Sequence, residues 1–175
     1  MRRPLSIMRA DPVAGTVDFL YKIVGHGLTL LSRRKTGDRV SVLGPIGQPF
    51  RPRPERPRAL LVGGGVGIPP MVFLAERLAA DTATPWQPLV LMGSEVPFPF
   101  DLIDAGSHFH LPSAASSALA EMEALGVPSR LASRAGLAGC YDGFVPSLAE
   151  EWLSGLDAKG LAETEIFACG PTPML

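Results

Sequence analysis

The sequence predicts an α/β protein in two parts. A partial antiparallel β domain covers residues 1–50, and a doubly wound parallel-sheet domain covers 59–175, with a Pro/Arg linker at 51–58 between them. Three observations lead there. Within the first fifty residues, "TVDFLYKIV" alternates with the period of a half-buried strand. Beyond residue 58, short apolar runs alternate with helical patterns, as in a parallel sheet with crossover helices. The first such run meets its helix through "VGGGVGIPP", four glycines beside two prolines.

The elements follow in order. In "TVDFLYKIV", Val17, Phe19, Tyr21 and Ile23 share one strand face, with Asp18 and Lys22 on the other. A helical turn is predicted near Leu28 to Arg34, and "DRVSVLGPIG" reads as a second strand ending in a turn. "RPRPERPR" alternates arginine with proline and reads as an extended, solvated connection. "ALLVG" (59–63) is a continuous apolar strand, as expected inside a parallel sheet. "PPMVFLAERLAA" is a helix with proline in its first turn. "PLVLMG" (88–93) is the next strand, and "SSALAEMEALG" a helix closed by Gly126. "SRLAS" is a strand, "PSLAEEWLSG" a helix and "EIFACG" (165–170) a strand. Two or three strands cannot close a barrel, and "GPTPML" ends within the first turn of a further helix. A fragment is therefore expected, with a degenerate relative as the alternative.

Composition narrows the function. The chain has 175 residues, 46% of them hydrophobic and 19% charged, with net charge −1. Such a chain can bury a core, and no basic excess points to nucleic acid. No apolar run reaches the length of a membrane span, and the N-terminus lacks the apolar core of a signal peptide. A cytoplasmic protein is expected. The two cysteines, Cys140 and Cys169, form no disulfide framework. His26, His108 and His110 show no metal-ligand pattern, so no metal site is predicted.

The motifs carry the chemistry. A strand, a glycine turn and a helix start form a natural phosphate or pyrophosphate site. Backbone N–H groups point at the anion, and glycine allows close approach. Gly63 and Gly65, or Gly65 and Gly67, begin the dinucleotide fingerprint G-x-G-x-x-G, but neither frame supplies its third glycine. A turn that only packs helix against sheet is the alternative. A phosphate loop of the Gly-Lys-Ser/Thr type is excluded. "ACGPTPM" ends the last strand, and ligands of open α/β sheets bind beyond the carboxyl ends of strands. Cys169 and Gly170 are thus expected near whatever the glycines hold, although a free cysteine is also a common small core residue. In "RRPLSI", an arginine followed by a serine could hold a phosphate and a ring nitrogen.

Taken in order, "RPLS", "GHGLT", "LGPIGQPF", "GGGVGIPP" and "CGPTPM" resemble the ferredoxin reductase-like family, which pairs a flavin-binding β-barrel with a nicotinamide-binding α/β domain. Within it, the R-P-[IL]-S-I form, the "LGPIG" turn and the "GGGVGIPP" loop are most similar to the electron-transfer subunits of dihydroorotate dehydrogenase, which serve pyrimidine biosynthesis.

The resemblance implies FAD and NAD as cofactors, with NADP as the alternative. It places Arg3 on the flavin phosphates, and Pro4, Leu5 and Ser6 along the flavin ring, Ser6 near N5. Gly27 and Thr29 match a pair on the flavin pyrophosphate, with Leu28 inserted between them. Gly63, Gly64, Gly65, Val66 and Gly67 form the nicotinamide pyrophosphate loop. Cys169, Gly170 and Pro171 lie beside the nicotinamide, so Cys169 and Ser6 flank hydride transfer. Ser133-Arg134 falls where NADPH-using relatives hold the 2′-phosphate. A [2Fe–2S] cluster is expected of the subfamily, but it needs four cysteines and this chain has two. The implied function is flavin-dependent electron transfer between NAD(P)H and a partner, a dihydroorotate dehydrogenase catalytic subunit or another redox protein. A non-catalytic nucleotide-binding remnant or regulatory module of the same fold is the alternative.

Overall fold

The computed structural model describes residues 2–105 and 111–174; His108 and His110 lie outside the described residues. Its centre is a five-stranded sheet whose paired neighbours are all parallel. The strands are β3 (Arg58–Gly64), β4 (Leu89–Gly93), β7 (Ser129–Ser133), β8 (Tyr141–Asp142) and β9 (Thr164–Cys169). Their spatial order is β8-β7-β4-β3-β9. The chain runs outward from β3 through β4, β7 and β8, then returns to lay β9 on the other side of β3. Strand order therefore reverses at the β3/β9 crevice.

Helices cover both faces of the sheet. α2 (Ile68–Ala80) buries Ile68, Met71, Val72, Ala75 and Leu78, a stripe at helical spacing. It packs on Leu61, Val90, Met92, Leu131 and Phe167. α4 (Val145–Ser154) buries Val145, Leu148, Ala149 and Trp152 against Leu60, Val62, Leu89, Leu91 and Ala132 of the opposite face. Alternate residues of β3 thus feed two cores, which explains its unbroken apolar run. α5 (Ala158–Ala162) is capped by Asp157, whose carboxylate accepts from Gly160 N at 2.7 Å.

One predicted helix begins as a strand. Ser117–Leu119 forms β6, paired antiparallel with β5 (Leu102–Asp104), and only Ala120–Ala124 is helical, as α3. Cross-chain bonds override the helical spacing. Leu119 N donates to Ser129 Oγ at 2.9 Å, and Glu123 Oε1 accepts from Ser129 N at 2.8 Å. Arg130, 1% exposed, lies in this network and donates from Nη1 to Ser129 O at 2.6 Å. Gly126 follows α3 with φ +73°, the left-handed stop its position predicts.

The first fifty residues hold less regular structure than the sequence predicts. β1 (Arg9–Asp11) and β2 (Thr16–Asp18) form a short antiparallel hairpin, and α1 spans Gly25–Ser32. The strand at "TVDFLYKIV" stops at Asp18, and "DRVSVLGPIG" is not a strand. The physical reason is the want of a neighbour: a strand needs a ladder partner and a covered face. Val40, Val42, Leu43 and Ile46 are instead exposed, and no described residue up to Phe50 is buried.

The Pro/Arg segment is more than a solvated connection. Arg53 donates from N and Nε to Glu165 of β9 at 2.9 and 2.7 Å. Phe50 meets Phe167 edge to face, ring centroids 5.5 Å apart. The segment thus lies along the edge strand β9 and shields it.

If the two cores hold the molecule together, Leu61→Ala and Leu91→Ala should each cost about 2–5 kcal/mol. Val42→Ala, at a position 69% exposed, should stay within about 0.5 kcal/mol. Urea denaturation checks both; equal losses at all three positions would contradict the assignment of the core.

Candidate dinucleotide site at the carboxyl edge of the sheet

β3 ends at Gly64, a single 3-10 turn takes Gly65–Gly67, and α2 starts at Ile68. Gly65 has φ +53° and faces open space, and Gly65 and Val66 are exposed. Gly63, Gly64 and Gly67 are buried. A Cβ on Gly67 would overlap the carbonyl of Cys169, and one on Gly63 would lie 3.1 Å from Ile68 Cα. A Cβ on Gly64 would overlap Met174 Sδ.

The glycines therefore do two jobs. Gly65 gives the turn its left-handed residue and keeps the tip open. Gly63 and Gly67 let helix and strands close on one another. The structure gives Gly67 a reason of its own: it permits the close approach of the end of β9. Pro69 and Pro70 lie at the second and third positions of α2 and carry no N–H. Ile68 N bonds to Gly65 O within the turn. An incoming anion would meet the N–H groups of Gly65 and Val66, at the positive end of the helix.

β9 delivers the second predicted segment to the same place. Cys169 pairs in register with Gly63. Gly170 and Pro171 follow, then a 3-10 turn at Thr172–Met174. Met174, not singled out from the sequence, fills the space left by both Gly64 and Gly170. Burial pushes the thiols of Cys169 and Cys140 up, so both stay protonated beyond the ordinary thiol range. A protonated, half-buried Cys169 is not an activated nucleophile. Ionising either thiol costs the folded state, so its stability should fall as pH rises past that range.

Further along the same edge, Arg134 follows β7. Its N–H donates to Glu95 Oε1 at 3.3 Å, and its guanidinium lies 5.0 Å from the centroid of the Phe144 ring. Ser133 is buried, its Oγ accepting from Ala135 N at 3.1 Å. Sequence reasoning missed Glu95 and Phe144, because no spacing rule links residues on separate loops.

The residues matched to flavin gather elsewhere. Arg3, Pro4, Leu5 and Ser6 lie on the irregular segment before β1. The Arg3 side chain rests on Gly27, where a Cβ would sit 3.1 Å from Arg3 Nε. Two segments named separately from the sequence are thus in contact. Thr29 Oγ1 is turned to its own helix, donating to Gly25 O at 2.9 Å.

This arrangement defines a class: an open parallel α/β sheet whose switch-point crevice is flanked by a glycine turn, where such sheets bind ligands. Comparison with known proteins points to particular relatives. No protein-family model matches the chain. Over its whole length it is 31% identical to the electron transfer subunit of dihydroorotate dehydrogenase B (NAD(+)) from Shouchella clausii (strain KSM-K16), covering 58% of that protein. Over 81 residues, 45% of this chain and 32% of the relative, it is 47% identical to the subunit of the same name from Geobacillus thermodenitrificans (strain NG80-2). Over 83 residues, likewise 45% of this chain and 32% of the relative, it is 46% identical to that from Listeria monocytogenes serotype 4b (strain F2365). The chain spans between about a third and somewhat over half of these relatives.

The contact between Gly67 and Cys169 is testable by alkylation at mildly alkaline pH, with sites mapped by mass spectrometry. Cys169 should react slowly in the native chain and in Gly65→Ala, and faster in Gly67→Ala, where the added methyl displaces the end of β9. Equal rates in the two variants would contradict the packing described.

Proposed function

We infer that the chain is a flavin-dependent electron-transfer oxidoreductase. It takes electrons from a nicotinamide dinucleotide and passes them through FAD to a partner redox protein. By likeness to its relatives, that partner is the catalytic subunit of a dihydroorotate dehydrogenase in pyrimidine biosynthesis. One observation carries the reading: the glycine turn and the Cys169–Pro171 segment flank the crevice where strand order reverses.

The residues divide the work. Gly65 and Val66 would bind the dinucleotide pyrophosphate through backbone N–H groups, with Gly63, Gly64 and Gly67 holding the turn against the sheet. Cys169, Gly170 and Pro171 would lie along the nicotinamide. The small Cys169 side chain would let the ring lie flat, and Met174 would support the segment from behind. Arg3, against Gly27, would hold the flavin phosphates, while Pro4, Leu5 and Ser6 would line the flavin ring and Thr29 would support that end through α1. Bound flavin would supply the conversion of a two-electron hydride into single electrons; the chain would align the rings and exclude water. Two cysteines do not fit a [2Fe–2S] centre of four thiolates, so no step is assigned to one.

NAD is the first choice of dinucleotide. Arg134, steadied over Phe144 at the sheet edge, favours NADP as a second reading, since a guanidinium there would meet a 2′-phosphate. Among the described residues, no helix is long and apolar enough to cross a membrane, and a cytoplasmic location is proposed. The thin structure of residues 2–50, with Val42, Leu43 and Ile46 exposed, favours the alternative of a nucleotide-binding module that transfers no electrons.

Titrating NADH and NADPH separates these readings. NADH should bind, and any NADPH binding should weaken in Arg134→Ala by about 1.5–3 kcal/mol, the range for a charge-assisted contact. FAD binding should weaken by a similar amount in Arg3→Ala. Cys169→Ser should keep part of the dye-reducing activity and Cys169→Leu should lose nearly all of it. Binding of neither dinucleotide would overturn the proposal; dinucleotide binding without FAD would leave the non-catalytic module.

A further inference from the structure

We propose that Arg9 is a positioning residue for electron transfer: it fixes the offset between the strip carrying Ser6 and the helix carrying the glycine turn. The inference rests on the function proposed above. Arg9 opens β1, three residues beyond Ser6. Its side chain crosses to two elements of the α/β domain. Nε donates to Glu76 Oε1 of α2 at 2.6 Å, and Nη2 donates to Glu121 Oε2 of α3 at 2.6 Å. A planar guanidinium engaged by carboxylates from two directions is fixed in both position and orientation.

The mechanical path is short. Glu76 lies about two turns along α2 from Ile68, where the glycine turn ends. An α-helix rises about 1.5 Å per residue and transmits position with little give. The strip that would line one ring is thus tied, through one side chain, to the helix that would cradle the other cofactor.

Packing alone does not set that offset. No described residue up to Phe50 is buried, and the apolar neighbour of Arg9, Met8, is only partly covered by the core. Beside Arg9 opens a depression of about 470 Å³ lined by Met8, Phe98, Pro99, Phe100, Asp101 and Glu121. Close-packed interfaces resist displacement because they lack such space. Arg9, Glu76 and Glu121 are each about a third exposed or less (28%, 28% and 35%). Ion pairs of this partial exposure add only modestly to stability, whereas a guanidinium shared by two carboxylates fixes geometry.

That contrast gives the test. The full chain, loaded with FAD, is compared with Arg9→Gln, Arg9→Lys, Glu76→Gln and the Arg9→Gln/Glu76→Gln double variant. FAD affinity, the KM for NADH, the thermal midpoint and the rate of flavin reduction are measured. Arg9→Gln should slow reduction by about tenfold to 100-fold, since a displacement near 1 Å costs on that order. FAD affinity and KM should barely change, and the thermal midpoint should fall only modestly, leaving the chain folded at the assay temperature. Arg9→Lys, able to reach one carboxylate, should recover part of the rate, and the double variant should be no slower than Arg9→Gln alone. An unchanged rate, or a loss matched by lower FAD affinity or by unfolding at the assay temperature, would overturn the positioning role and leave the proposed function standing. Failure of the native chain to bind FAD would overturn that function and this role with it.

Discussion

The structure depends on one crossing, where the backbone of Gly67 meets the carbonyl of Cys169. The start of α2 and the end of β9 come together there with no side chain between them. Within the glycine turn, Gly64 and Gly67 are buried while Gly65 and Val66 are exposed. The crossing also fixes Cys169 in register with Gly63. A methyl group at residue 67 would move β9, and with it Cys169, Gly170 and the Met174 side chain that backs them. Interiors at this density transmit such shifts instead of absorbing them.

The N-terminal residues are held differently. They reach the α/β domain through Arg9 on Glu76 and Glu121, Arg53 on Glu165 and Phe50 on Phe167. Burial opposes the charge of Arg9, yet the hydrogen bonds it donates to Glu76 and Glu121, with the charges of those carboxylates, outweigh it and raise its pKa above the ordinary guanidinium value. Contacts of this kind orient more than they stabilise, and local opening should be easiest where apolar burial is least.

What the sequence disclosed follows from what governs each element. β3, β4, β7, β9, α2 and α4 were legible because their apolar spacing is itself the cause of their burial. The glycine turn was legible as a close approach, but not what approaches: nothing local says that Gly67 faces Cys169 a hundred residues away. Ser117–Leu119 reads as helix because the bonds that make it a strand come from Leu102–Asp104 and Ser129. "DRVSVLGPIG" has strand chemistry and no partner strand among the described residues. Of the candidate site, each glycine and Cys169 could be named in advance. Arg9, Glu95, Phe144 and Met174 could not, since their importance comes from distant neighbours.

The central claim is that a dinucleotide occupies the crevice between the glycine turn and the end of β9. Amide hydrogen exchange, followed peptide by peptide with and without saturating NADH, tests it most directly. Exchange should slow across Gly64–Gly67 and Cys169–Thr172, with the hairpin of β1 and β2 little changed. Slowing confined to other parts of the molecule would contradict the claim.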